Sequence, residues 1–376
     1  MNQSNILSTT HSLKLLAKII ILFFIILNLT ACAVKPYRVA IITNLYSDQI
    51  RVGTEGIKAI RLAYENYKHL KPKSSDFEIT VLNDGFNPTK TKSLLQLYRD
   101  EFDIVIPITT TLSLNAIYYD IINSKSLFFT VSMSNMIDDK KDNLVNFYPG
   151  VKKEQEFAAS VLNKNGSLKT LLIYENRFNM NYINNSIEYL RSAFHGEIEI
   201  QEFDIQENNI NRVVKYAKNS NADHIYMILP AYPRETGFII QKIRQSGNKK
   251  PIITAPICSG RLMINSAGAY TDNLYCIGPI NNIEGLSNYH EFIDQYKESW
   301  GELFDYKSTV LFYDLALKVF DTVDRSGLSS VDRIIENLNK KTDLPVIGNY
   351  LFSESGDNSG ELYLFKIEKG QYVSVQ

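Results

Sequence analysis

A chain of 376 residues with 40 Lys and Arg against 41 Asp and Glu carries a formal net charge of −1. That balance leaves no basic stripe for a phosphate backbone, so a nucleic-acid partner is not expected. Three cysteines and five histidines, with no Cys-x-x-Cys pair and no histidine cluster, offer no metal site, and no cofactor is expected.

At the N-terminus, Lys14 and Lys18 precede the apolar block "IIILFFIIL" (Ile19 to Leu27), and "LTAC" follows at Leu29 to Cys32. A basic start, a short apolar stretch and small residues before a cleavage point describe a secretory signal peptide over residues 1–31. The apolar block is shorter than the roughly 20 residues of a spanning helix. The "LTAC" ending resembles the lipobox of bacterial lipoproteins. The resemblance implies that Cys32 is acylated and becomes the first mature residue. Ala33, in place of an aspartate, resembles the outer-membrane sorting pattern of Gram-negative lipoproteins. The alternative is a plain transmembrane anchor, with Leu13 to Val34 spanning and the lysines snorkelling. Either reading puts the body in the periplasm, held at a membrane. Without residues 1–31 the chain has 38 basic and 41 acidic side chains, a net −3. About 340 residues then remain, enough for two domains with cores of their own. In an oxidising compartment Cys258 and Cys276 suit a disulfide; two buried free thiols are the other reading.

From Tyr37 onward strand and helix patterns alternate. "RVAIIT" (Arg38 to Thr43) reads as a buried strand and "GTEGIKAIRLAYENYKHL" as a helix, apolar at Ile57, Ile60, Leu62, Ala63 and Tyr67. "FEITVLND" (strand), "PTKTKSLLQLYRD" (helix), "FDIVIPI" (strand), "LSLNAIYYDIIN" (helix) and "SLFFTVS" (strand) follow. "NFYPG" (Asn146 to Gly150) interrupts, and the theme restarts with "LKTLLIYE", "YINNSIEYLRSAF", "EIEIQEF", "NINRVVKYAKNS", "ADHIYMILP", "ETGFIIQKIRQSG" and "PIITAP". After Pro279 come helices in "NYHEFIDQYKESW", "KSTVLFYDLALKVFDTVDRSG" and "SVDRIIENLNKK", then a β-rich tail with Gly-Asp and Lys-Gly turn signals. Such alternation with short connections predicts an α/β protein: two Rossmann-like lobes, each a parallel sheet with helices on both faces.

Several stretches carry a further resemblance: "GTEGIKAIRLA" after the first strand, "NDGFNPTKT" after the second, "PITTTLSLNA" after the third, "FFTVSMSN" at the fourth, and the tail "LFSESGDN" with "LYLFKIEKGQYV". In this order they resemble the type I periplasmic binding proteins of the branched-chain amino-acid (Leu/Ile/Val) family, the solute-binding proteins of ABC importers. The resemblance covers residues 38 to 376. It implies a fold in which the chain crosses between two lobes three times, so that three strands form the hinge and ligand closes in the cleft. Carried over, lobe 1 is 38–149 plus 282–342 and lobe 2 is 150–281 plus 343–376. Pro149-Gly150, Asn281-Asn282 and Asp343 to Pro345 would form the hinge, whose few residues absorb the φ/ψ change.

Ligands of open α/β sheets bind outside the carboxyl ends of the strands. Here those ends include Thr43 to Ser47 with Tyr46, Thr109 to Thr111, Ser132 to Asn135, Glu175 to Asn179, Pro230 to Tyr232, and Ile257 to Gly260. Thr110 or Thr111 also opens a helix near Leu112, where free N–H groups and the dipole favour an anion. The resemblance implies that Thr109, Thr110, Thr111, Ser132 and Ser134 hold a ligand carboxylate. It also implies that Tyr232 lays a ring over the ligand. Simple capping and packing is the competing account of the threonines. One departure stands out: amino-acid binders of the family place a carboxylate where this chain has Ile257, Cys258 and Ser259. A buried ammonium without a counter-charge costs several kcal/mol. Asp48 and Glu175 are replacements for it, while Arg51 and Arg177 would favour an anionic ligand.

No GxSxG, HExxH, GxGxxG or P-loop is present, so an enzyme is not expected. The expected partners are a small-molecule ligand, an ABC permease, and the membrane through the lipid anchor. The alternative is an outer-membrane lipoprotein of the same fold that regulates a cell-wall synthase of the penicillin-binding type.

Overall fold

The computed structural model describes residues 35–375 apart from 47–50, 99, 135–136, 138–140, 208, 231, 259 and 302–305. The expected signal peptide, Cys32, Asp48 and Ser259 lie outside the described residues. Among the described residues no helix is long and apolar enough to cross a membrane.

The first sheet is β1 (Tyr37–Thr43), β2 (Phe77–Asn83), β3 (Ile104–Ile108), β4 (Leu127–Thr130) and β5 (Leu144–Asn146), in the order β2-β1-β3-β4-β5 and parallel throughout. Parallel strands covered on both faces read as continuous apolar runs, and "VAII" does so. Val39 and Ile41 share one core with Ile57 and Ile60 of α1 (Val52–Leu70) and with Phe312 and Phe320 of the long late helix α10 (Tyr306–Ser326). Ala40 and Ile42 join the opposite core, with Leu95 of α2 (Pro88–Leu97) and Ile117 and Ile121 of α3 (Thr111–Ile122). Local chemistry starts these helices. Asn87 accepts from Lys90 N with Pro88 behind it, and Thr110 accepts from Ser113 N. Gly53 lets α1 reach the end of β1, because a Cβ there would lie 2.3 Å from Thr43 Oγ1 and 2.5 Å from Asn44 O.

The second sheet contains β6 (Lys169–Glu175), β7 (Glu197–Phe203), β8 (His224–Ile228), β9 (Ile252–Thr254), β10 (Leu274–Gly278), β11 (Tyr363–Glu368) and β12 (Gln371–Ser374), in the order β12-β11-β10-β9-β8-β6-β7. Its first five strands are parallel, and β11 and β12 add an antiparallel hairpin to β10. α4 (Val151–Lys164) leads into β6, and α5 (Met180–Ala193), α6 (Ile210–Asn219), α7 (Pro233–Gln245) and α8 (Arg261–Ala267) fall between the strands from β6 to β10. α9 (Ser287–Trp300), α10 and α11 (Val331–Leu338) follow β10, and α10 packs along α1. The expected two-sheet α/β architecture is the one found. β5, α8 and β10 are not legible in the sequence pattern, because each is short or sits inside loop-like composition.

Buried polar arrangements hold the first and last crossings between the sheets. At the first, Asn146 Oδ1 accepts from Ser132 N (3.0 Å) and Tyr148 N (3.2 Å), and its Nδ2 donates to Ser132 O. Beyond Gly150 (φ 84°), the Tyr148 hydroxyl donates to Glu154 Oε2 on α4. Glu154 also accepts from Tyr182 (2.6 Å) and Gln155 (2.8 Å). At the last crossing, Asp314 on α10 is fully buried and accepts from Ile347 N (2.9 Å), Gly348 N (2.7 Å) and the Tyr350 hydroxyl (2.8 Å). Burial pushes its carboxyl up to about 7. Asn358 is tied to Asn146 O and Phe147 O. Residues 347–358 therefore stay with the first sheet, and the tail joins the second only at Tyr363.

Candidate functional site

The site is built from the strand ends of both sheets. Asp84, just past β2, is fully buried and acts as a hub. Its Oδ1 accepts from Phe86 N (2.8 Å), and its Oδ2 accepts from the hydroxyls of Thr91 (2.8 Å) and Thr109 (2.9 Å). Thr109 thus ties the exit of β3 to that of β2.

Each remaining member of the threonine run does something different. Thr110 is the N-cap of α3: its hydroxyl oxygen accepts from Ser113 N (3.2 Å) and lies 3.1 Å from Ser113 Oγ. Thr111, first in the helix and 3% exposed, accepts at Oγ1 from Asn179 Nδ2 of the second sheet's layer, at 3.1 Å. Ser132 Oγ accepts from Ser134 N (3.1 Å), and Ser134 Oγ donates to Asn115 Oδ1 on α3. The structure brings these five residues to adjacent strand ends, as expected, with Thr109, Thr110 and Ser134 hydrogen-bonded to other residues of the same lobe.

On the second sheet, Glu175 ends β6 fully buried, accepting from Arg177 N (2.9 Å) and Phe178 N (2.5 Å). Burial raises its carboxyl above the ordinary range, and the two amides partly offset that. Arg177 is exposed, and its fork is closed on Asp204. Nε reaches both carboxylate oxygens at 2.9 Å, and Nη2 reaches Oδ2 at 2.7 Å. The guanidinium holds Asp204 below the usual carboxylate range. The bidentate pairing through Nε and Nη2 anchors Arg177 to a partner in its own layer.

Tyr232, half-buried, is the residue before α7, and its carbonyl accepts from Thr236 N and Oγ1. Burial raises its hydroxyl pKa, and the charges of Glu175, Glu235 and Asp204 add to this. Its hydroxyl thus lies within the electrostatic reach of the Glu175 and Arg177 group. Tyr46 is 83% exposed, three residues past β1. Cys258 and Cys276 are free and buried, which corrects the expected disulfide. They lie in different apolar layers, Cys258 with Ile253 and Ile277, and Cys276 with Leu274 and Ile252. Each thiol is hydrogen-bonded locally, Cys258 to Met227 O and Ala255 O, and Cys276 to the Thr254 hydroxyl. Among the described residues no group of His, Cys, Asp or Glu could hold a metal ion.

Sequence reasoning did not single out Asp84 or Asn179. The first carries a readable signal, an Asp-Gly after a strand with Thr91 one helical turn into the next element. The second depends on a partner 68 residues away.

No protein-family model matches the chain, and no curated protein matches it. Solved structures do match. The branched-chain amino acid transporter substrate-binding protein LivJ from Streptococcus pneumoniae, in complex with isoleucine, has a TM-score of 0.72 at 17% identity, over 90% of this chain and 100% of that one. The leucine-binding protein LivK from Thermotoga maritima gives 0.72 and 17%, over 90% and 98%. A solute-binding protein of an ABC transporter from Rhodopseudomonas palustris, in complex with 3,4-dihydroxybenzoic acid, gives 0.73 and 17%, over 90% and 96%. The shared property is the fold: this chain has the type I periplasmic binding protein fold.

Proposed function

We propose that this chain is an extracytoplasmic solute-binding lipoprotein of an ABC importer. It closes two lobes, one around each sheet, over a small carboxylate or amino-acid-like ligand. The observation that carries this reading is the meeting of two helix N-termini at the facing strand ends. Thr111 opens α3, Asn179 opens α5, and the two side chains touch. The positive ends of two helix dipoles at one place favour a negative group. Proteins of the same fold are solved with isoleucine, 3,4-dihydroxybenzoic acid and benzoate, each of which carries a carboxyl group. In this reading Ser132 and Ser134 line the lobe 1 side and Tyr232 the lobe 2 side. Cys32 carries the lipid that tethers the protein at the outer membrane, and an ABC permease receives the solute.

One observation favours a second reading, that of a lipoprotein regulating a peptidoglycan synthase. Thr109, Thr110, Ser134 and Arg177 already have partners inside the chain. Thermal-shift screening against amino acids, amides, small carboxylates and peptides separates the two. A solute at 100 times its Kd stabilises the folded state by about 2.7 kcal/mol. If no small molecule shifts the melting temperature while a cell-wall synthase is recovered by pull-down, import is lost and the second reading stands. Mass spectrometry should find a diacylglyceryl group on Cys32; an intact N-terminus would end the lipoprotein claim.

A further inference from the structure

Asn179 is placed against its own preferences. It stands at the N-cap of α5 with a left-handed backbone (φ 54°, ψ 48°) and makes no side-chain cap. Asparagine is among the best capping residues, and a cap stabilises a helix by about 1 kcal/mol. A left-handed backbone is uncommon outside glycine, although Asn tolerates it better than most. Both concessions serve one outcome, which is that the side chain points away from α5 and across to the other sheet's layer. Nδ2 donates to Thr111 Oγ1 at 3.1 Å, while Oδ1 is buried with no partner.

Both ends of this bond are held independently. On one side Glu175 fixes the amides of Arg177 and Phe178, so the loop that presents Asn179 is part of the β6 end. On the other, the Thr110 cap fixes the first turn of α3, and Asp84 fixes Thr109 beside it. A bond between two separately anchored ends resists their separation, whereas a bond between two loose loops would follow any movement.

We infer that Asn179 and Thr111 form a latch that sets the balance between closed and open forms of the two lobes. Asn179 is a positioning residue in this scheme: it joins the lobes directly, whatever solute they enclose. The inference rests on the two-lobe closure proposed above and on no particular ligand.

The test measures lobe separation without any solute. Spin labels on Lys90→Cys and Lys215→Cys, both exposed and on different lobes, report the distance by double electron–electron resonance. The full chain is used in detergent with Cys32→Ser, and the native thiols Cys258 and Cys276 are buried. Thr111→Val and Asn179→Ala should each lower the closed-to-open ratio roughly 2- to 13-fold, the range one neutral hydrogen bond supports. Combining them should add nothing further, since both remove the same bond. Asn179→Gly keeps the left-handed backbone and serves if the alanine variant fails to fold. The latch is overturned if Thr111→Val leaves the distance distribution unchanged, or if the two effects add. Because no solute is present, a failed solute screen and a failed latch remain separate results.

Discussion

Replacing Asp84 should uncouple the strand ends of the first sheet. The buried carboxylate accepts three hydrogen bonds, from Phe86 N and from the Thr91 and Thr109 hydroxyls. In Asp84→Ala the Thr91 hydroxyl keeps a second acceptor, Asn87 O at 2.9 Å. Among the described residues the Phe86 amide and the Thr109 hydroxyl have no second acceptor. A hydrogen bond to a charged group contributes about 1.5–3 kcal/mol, and a stranded donor costs a similar amount. Two such losses place Asp84→Ala at about 3–6 kcal/mol of destabilisation. Asp84→Asn keeps the Phe86 bond through its remaining oxygen, and both hydroxyls can turn to accept from the new amide. It should cost about 1 kcal/mol. Urea denaturation gives both values, and hydrogen exchange should show the weakening concentrated in β2 and β3. A loss below about 1 kcal/mol for Asp84→Ala, or equal losses for the two variants, would refute the hub.

Two more outcomes follow from buried groups. Burial holds the Asp314 carboxyl at about 7, above its ordinary value, so the folded state binds a proton that the unfolded chain releases. Its contribution to stability is full below the unfolded pKa and is lost as pH rises through about 7. The melting temperature should therefore fall between pH 5 and pH 8 more steeply in the wild type than in Asp314→Asn; parallel slopes would count against this. Cys258 and Cys276, buried thiols outside any disulfide, should resist alkylation in the native protein and both react after denaturation. Reducing agent should leave the melting temperature unchanged, and a two-mass-unit gain on reduction would show a bond instead.

Much of the architecture is written locally. The apolar run in β1, the Asn87-Pro88 start of α2 and the hydroxyl before Leu112 each declare an element from neighbouring residues alone. The same holds for the strand ends, and the threonine run was found from its place between a strand and a helix. What local pattern does not encode is the partner of each hydroxyl. Three adjacent threonines look interchangeable in sequence, yet one serves Asp84, one caps a helix and one meets Asn179. The partner of Arg177 is hidden for the same reason, because Asp204 lies 27 residues away on a neighbouring strand's exit. Short elements were lost differently. The three residues of β5 and the five of β10 give too little periodicity to stand out from the turns beside them.

The fastening of residues 347–358 to α10 and β5 has a mechanical consequence. A segment bonded to one body by Asp314 at its start and by Asn146 and Phe147 at its end cannot flex along its length when the bodies turn. Rotation at that connection is left to the short stretch between Asn358 and Tyr363, which includes Gly360. Its counterpart at the first connection is equally narrow, pinched between the Asn146 side chain and the Tyr148–Glu154 bond. The two pivots sit close together, because Asn358 bonds to the backbone of Asn146 and Phe147. Two adjacent, narrow swivels define an axle, and an axle permits one swing while resisting twist and shear. In the proposed closure, such an axle would return the same pair of faces to the same register.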